Sequence, residues 1–200
     1  FLQVAVPSTG NDDETQALIE NAGTVSAEGG LIEMRAATAR NAARQAINMS
    51  GVAEASSVSV RDGVIVLGGG DGGRVTVSGK ASTRAAPKAS FTKWNKHPAV
   101  KKSVRPAARP GSEITITGAQ IVLDGADIDA SGYSGGGTIR IGGDFGGGIG
   151  FQTAETLQAD AATVVRADSL DNGDGGRIVL WSDLDTVVAS SLSARGGEAG

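Results

Sequence analysis

The chain contains no cysteine, which excludes disulfides, cysteine-ligated metals and a thiol nucleophile. Aromatic residues make up only 4% of its 200 residues, and there are 2 Met, a composition unlike that of an ordinary globule. No apolar run approaches the roughly 20 residues that span a bilayer. No secretory signal opens the chain. It starts abruptly at Phe1-Leu2-Gln3 and stops in the Gly-rich stretch Gly196-Gly197-Glu198-Ala199-Gly200, which reads as the interior portion of a longer protein, residues 1–200 forming one segment of it.

Glycine and small branched residues are abundant instead. There are 31 Gly, and the 40% of hydrophobic residues is dominated by Ala, Val, Ile and Leu. Glycine without a G-X-Y period is not collagen, and the many β-branched residues argue against plain disorder. Short strands joined by many tight turns suit this mixture, so the expected class is all-β. The net charge of −4 is unevenly spread. Nine basic residues fall between Lys80 and Arg109 with no Asp or Glu among them, which leaves nine others against 22 acids elsewhere. The chain reads as an acidic body carrying one basic, Pro- and Lys-rich insert over residues 81–112.

A phrase of two glycines followed by alternating apolar residues recurs. It reads Gly29-Gly30-Leu31-Ile32-Glu33-Met34, Gly72-Gly73-Arg74-Val75-Thr76-Val77, Gly136-Gly137-Thr138-Ile139-Arg140-Ile141 and Gly175-Gly176-Arg177-Ile178-Val179-Leu180, and begins again at Gly196-Gly197. The second glycines stand at 30, 73, 137, 176 and 197, gaps close to multiples of about 21 as a solenoid with insertions would have. A second phrase, apolar-polar-Ala, lies upstream of these doublets: Val25-Ser26-Ala27, Ile128-Asp129-Ala130, Val165-Arg166-Ala167 and Leu192-Ser193-Ala194, with Ala53-Glu54-Ala55 as a weaker copy.

Alternation puts Ile139 and Ile141 on one strand face and Thr138 and Arg140 on the other. One such strand cannot bury its apolar face, whereas stacked coils bury whole columns. The glycines are expected to supply positive φ at the corners. The reading is a right-handed parallel β-helix of about 21 residues per coil, with about eight coils and a rod roughly 40 Å long. A β-sandwich with Gly-rich hairpins explains the alternation but not the repeated phrase. The Ala- and Arg-rich stretch from Ala36 to Ile47 is helix-compatible and predicts either a short helical excursion or, as the favoured reading, a plain connecting segment.

Several runs resemble the filamentous-haemagglutinin-type exoproteins of two-partner secretion. They include Leu18 to Gly30, Met49 to Ala55, Asp62 to Leu67 with the glycines after it, Ile128 to Gly132, Ile141 to Phe145, and Gly173 to Asp183 continuing to Leu192–Gly197. The resemblance covers most of the chain in the expected order. It implies export from a Gram-negative cell through an outer-membrane β-barrel partner. It also implies a right-handed β-helix displayed at the cell surface or secreted, acting as an adhesin toward a host-cell or surface glycan or protein receptor. The amino-terminal secretion domain of that family is not among these residues, and the basic insert is not part of its pattern.

Catalytic signals are weak. His97, the only histidine, lies in the insert with no nearby carboxylate in the sequence. Asp124, Asp127 and Asp129 form one acidic group and Asp168, Asp171 and Asp174 another. Turn formation is their favoured role, and neither fits a calcium-loop pattern. No cofactor, metal or nucleic-acid partner is expected, and the chain is read as a structural rod rather than an enzyme. The insert is the one candidate ligand element: Lys88, Lys93, Trp94, Lys96, Lys101, Lys102 and Arg105 combine charge with an aromatic surface and could grip an anionic polymer or another surface protein. Its alternative role is a strap across the acidic body. The rival functions are a filament or assembly subunit and a β-helix polysaccharide-processing enzyme, the latter to be marked by Asp/Glu with Arg or Lys grouped on one face.

Overall fold

The computed structural model describes residues 1–6, 17–37, 44–56, 63–84 and 112–198. Eighteen short strands form three parallel sheets of six. The first sheet stacks β1 (Leu2–Val6), β4 (Leu31–Ala36), β7 (Val64–Gly68), β10 (Glu113–Thr117), β13 (Thr138–Ile141) and β16 (Arg177–Leu180). The second stacks β2 (Ile19–Asn21), β5 (Arg44–Met49), β8 (Gly73–Val77), β11 (Gln120–Leu123), β14 (Thr156–Ala159) and β17 (Asp185–Val188). The third stacks β3 (Thr24–Ser26), β6 (Val52–Glu54), β9 (Lys80–Ser82), β12 (Asp127–Asp129), β15 (Val164–Arg166) and β18 (Ser191–Ser193). Each coil contributes one strand to each sheet, the arrangement of a parallel β-solenoid. No helix occurs among the described residues, and Arg44–Met49 is strand, so the helix-compatible stretch does not make a helix there. β-Branched Ile47, aligned with Ile19 and Val75, is worth more in the stacked core than local helix propensity.

The core is a set of columns. Leu2, Ile32, Ile65, Ile114, Ile139 and Ile178 follow one another through the first sheet. Ile19, Ile47, Val75, Ile121, Leu157 and Thr186 do so in the second. Val25, Ala53, Ala81, Ile128, Val165 and Leu192 do so in the third. The isoleucines of the middle coils are fully buried, each worth roughly 1.5–3 kcal/mol relative to exposure. Val188 and Leu192 in the sixth coil are exposed, because no described coil stacks on them.

The apolar-polar-Ala phrase marks the third sheet in every instance, the weaker copy included. The Ala after each strand begins a backbone ladder between coils. Ala27 donates to Glu54 at 2.8 Å, Ala55 to Ser82 at 2.9 Å, Ala130 to Arg166 at 2.8 Å and Ala167 to Ser193 at 2.8 Å. The third coil has Ala81-Ser82-Thr83 at the same place, with Thr83 donating to Asp129 at 2.9 Å.

The coil differs from the expectation in size and number. The described residues form six coils, where about eight are expected, which makes a stack roughly 30 Å long. Stacked partners are 25 positions apart at the closest (Ile114 to Ile139) and 49 at the furthest (Ile65 to Ile114). The 21-residue period came from treating all glycine doublets as one phase. Gly29-Gly30, Gly136-Gly137 and Gly175-Gly176 precede first-sheet strands, whereas Gly72-Gly73 opens the second-sheet strand β8. The intervals 43 and 64 therefore join different corners, and 39 is a single coil.

Most length variation sits at two corners. The corner after the second sheet holds two to four residues throughout: 22–23, 50–51, 78–79, 124–126, 160–163 and 189–190. The corner after the first sheet ranges from 118–119 to 142–155, and the corner after the third from 27–30 to 83–112. Both variable corners border the first sheet. The basic insert belongs to the second of them, although its first residues, Ala81 and Ser82, are part of strand β9 and not of the corner.

Candidate functional site

The seven insert residues expected to bind, Lys88, Lys93, Trp94, Lys96, Lys101, Lys102 and Arg105, lie outside the described residues, as does His97. The root of the insert is visible. Arg84 reaches Asp129 at 3.9 Å, and Arg166 reaches both Asp129, at 3.7 Å, and Asp127. Asp129 is buried and also accepts the Ser131 N–H at 2.9 Å. These aspartates therefore organise the outer face of the third sheet and the turn that follows it.

In the other acidic group, Asp168 is buried and accepts from the Ser193 hydroxyl at 2.6 Å, the Arg195 N–H at 2.8 Å and the Arg195 guanidinium at 3.1 Å. Burial alone would raise its pKa, but these donors outweigh burial and hold the carboxyl below its ordinary 3.8. Asp124, Asp171 and Asp174 are exposed. No group of three or more metal-ligating side chains occurs among the described residues.

The doublet glycines do a different job from the one expected. Of the eight, only Gly29 has positive φ, at 59°. Gly136, Gly137, Gly175 and Gly176 mark places where coils touch through backbone. A Cβ on Gly136 would meet the Ala167 carbonyl oxygen at 2.0 Å, one on Gly137 the Ser112 oxygen at 2.2 Å, one on Gly175 the Ala194 oxygen at 2.1 Å and one on Gly176 the Gly137 oxygen at 2.1 Å. A Cβ on Gly30 would sit 3.3 Å from that of Ala27. Gly72 and Gly73 belong to the turn into β8.

The structure assembles another cluster, on the outer face of the first sheet. Glu113 stacks beside Thr138 and Arg177, and Thr115 beside Arg140 and Val179. Arg140 bonds Glu113 at 2.8 Å and Asp144 at 3.0 Å, and Arg177 bonds Asp144 at 2.9 Å. The chain Glu113–Arg140–Asp144–Arg177 thus ties three coils together. The Phe145 N–H, donating at 2.7 Å, is the main cause that holds Asp144 below its ordinary 3.8; burial opposes it, and Arg140 and Arg177 add to it.

Asp144 begins the Gly-rich corner 142–155. Gly142, Gly143, Gly146, Gly147, Gly148 and Gly150 all have positive φ there, a backbone that residues with a Cβ adopt only at a cost. The corner folds back against the body. The Gln152 amide donates to the Gly70 carbonyl, and the Thr153 hydroxyl to Asp183 at 2.6 Å. The Trp181 indole N–H also donates to Asp183 at 3.0 Å, and its ring lies along Gly143 and Gly147. The Thr153 and Trp181 donors together hold Asp183 low against a smaller opposing effect of burial. Apolar side chains are raised at this anchored corner: Phe145 is 79% exposed, Phe151 40% and Ile149 fully. The Arg140 guanidinium carbon stands 5.6 Å from the centre of the Phe151 ring, within cation–π range.

Sequence reading misses this cluster, although Ile141 to Phe145 and Trp181 stand in runs that carry the resemblance. Its charges come from residues 113, 140, 144 and 177, and only the stacking register joins them. The available signal was the run of apolar residues, Phe145, Ile149 and Phe151, in a Gly-rich stretch where a buried strand has no room. No family model, curated protein or solved structure matches the chain.

Proposed function

We propose that this chain is a segment of a secreted, surface-displayed attachment rod of the filamentous-haemagglutinin type, exported through an outer-membrane barrel partner and wound as a right-handed β-helix. Support comes from one observation above all: every coil adds one strand to each of three in-register parallel sheets. Such a fold lengthens by repetition and leaves its corners to vary. The variable corners border one sheet, so a long rod of this kind presents a continuous face for recognition. The resemblance in sequence supplies the export route and the adhesive role.

A second reading, a polysaccharide-processing solenoid, gains from the grouping of Glu113, Asp144, Arg140 and Arg177 on one face. Catalysis of glycoside cleavage needs a carboxyl that remains protonated near neutral pH. Asp144 is instead held ionised by its donors, and Glu113 is bridged to Arg140. This arrangement suits holding a ligand better than donating a proton to one, which favours the attachment role.

Binding of the exported protein to host cells and to anionic polysaccharides across a salt series, with and without residues 85–111, tests the proposal. Loss of salt-sensitive attachment on deletion would make the insert an electrostatic adhesive element. Undiminished attachment would place the receptor site elsewhere on the rod, and no attachment by either form would sink the adhesive role.

A further inference from the structure

We infer that the anchored corner 142–155, with the arginine–carboxylate chain beside it, is a binding site for a neutral saccharide, built from residues outside the basic insert. The inference rests on the attachment reading and names a receptor class for it.

Three observations carry it. First, Phe145 and Phe151 are exposed on a corner that is fixed rather than loose, tied through Gln152 to Gly70 and through Thr153 to Asp183, with Trp181 beneath its glycines. Rigid aromatic surface loses little entropy on binding, and it can lie against the C–H face of a pyranose ring. Second, the ring of Phe151 stands beside Arg140, itself in the chain through Asp144 to Arg177. Sugar hydroxyls need donors and acceptors close to that apolar surface. Arg177 is 53% exposed and spends one terminal nitrogen on Asp144, which leaves further N–H donors for a ligand, and a carboxylate has more lone pairs than its partners use.

Third, the charges balance. Arg140 and Arg177 are matched by Glu113 and Asp144, and Asp183 adds one more negative group under Trp181. Among the described residues of the site no cationic surplus remains to attract an anionic polymer, so the hydroxyl groups of an uncharged sugar fit it better than sulfates or carboxylates.

The test is affinity electrophoresis of the full chain through gels containing dextran, galactomannan or a β-glucan, beside gels containing heparin or hyaluronate. The variants are Phe151→Ala, Arg177→Ala and the deletion of residues 85–111, which leaves β9 and Ser112 in place. Expected is retardation by at least one neutral polymer, little affected by salt or by the deletion. Each point variant should weaken it about tenfold or more, with circular dichroism unchanged and only a small effect on melting from Arg177→Ala, whose side of the ion pair is exposed.

Undiminished retardation of Phe151→Ala and Arg177→Ala would overturn the site. So would retardation confined to the anionic gels and abolished by salt or by the deletion, and so would free migration through every neutral gel. Cell attachment measured in parallel separates the two proposals. Failure to attach with neutral-polymer binding intact defeats the adhesive role alone, whereas attachment without neutral-polymer binding defeats this site alone.

Discussion

The corner after the second sheet and the corner at 142–155 are both rich in glycine, yet Gly51 and Gly79 in the first use it oppositely to Gly146 and Gly150 in the second. At the former, coils lie backbone to backbone. A Cβ on Gly51 would meet the Gly23 carbonyl oxygen at 2.2 Å, and one on Gly79 the Gly51 oxygen at 2.0 Å. These glycines leave space for the neighbouring coil, and their φ angles are ordinary. At 142–155, Gly146 and Gly150 have positive φ, 68° and 82°, and a Cβ on either would meet nothing within 4 Å. Here glycine bends the chain away from the body and lifts apolar side chains into solvent. At these four positions one residue type closes the stack on one edge and opens it on another. By contrast, Gly125 at the constant corner also has positive φ, and a Cβ on Gly142 at the variable one would meet the Trp181 carbonyl oxygen at 2.1 Å.

Substitutions can break that contrast, and the greatest effect belongs to the columns that both corners serve. Ile114→Ala empties a fully buried place in the isoleucine column and should cost about 2–5 kcal/mol in urea unfolding. Gly79→Ala comes next: with backbone as the obstacle, coils must separate, and about 3 kcal/mol is expected from the same measurement. If Gly79→Ala were tolerated, the close stacking at the constant corner would not be a structural requirement.

Asp168→Asn follows, at about 1–3 kcal/mol near neutral pH, since a buried acceptor of three donors loses its charge. Its pH dependence gives a sharper check. The folded carboxyl titrates below its ordinary 3.8, so its contribution is present above that value and fades as pH falls through the lower, folded pKa. The difference in stability between Asp168→Asn and the parent should therefore narrow on acidification, as followed by unfolding at a series of pH values. A difference that stays constant down to strongly acid pH would mean that charge plays no part.

Gly150→Ala should cost only about 1–2 kcal/mol, the penalty of a left-handed residue without a clash. The smallest effect on stability is expected for Phe145→Ala, within about 0.5 kcal/mol, because the ring is largely exposed. A large loss there would mean that the ring packs on the body and is not available to a ligand.

The columns were legible because they are encoded locally. Alternation over four residues, as in Thr138-Ile139-Arg140-Ile141, assigns each side chain to a face before any partner strand is known. The apolar-polar-Ala phrase worked for the same reason, and it located the third sheet in five of its six coils. The period was misread because two glycines look alike wherever they stand. Whether Gly72-Gly73 precedes the first sheet or opens the second depends on the number of strands already laid down in that coil, which no short phrase records. The acidic groups were also only half legible. Asp129 and Asp168 read as turn residues, but their burial beneath Arg166 and Arg195 comes from the next coil.

The sequence by itself determined that this chain makes short alternating strands that must stack to bury Val, Ile and Leu, because the pattern of period two and the small residues at its ends are properties of neighbouring positions. Only the tertiary structure decided which strands stack, how long each coil is, and that Glu113, Arg140, Asp144 and Arg177 meet beside Phe151. Those outcomes depend on register between coils tens of residues apart, and register is set by the whole stack closing its backbone hydrogen bonds together, not by any one segment of the chain.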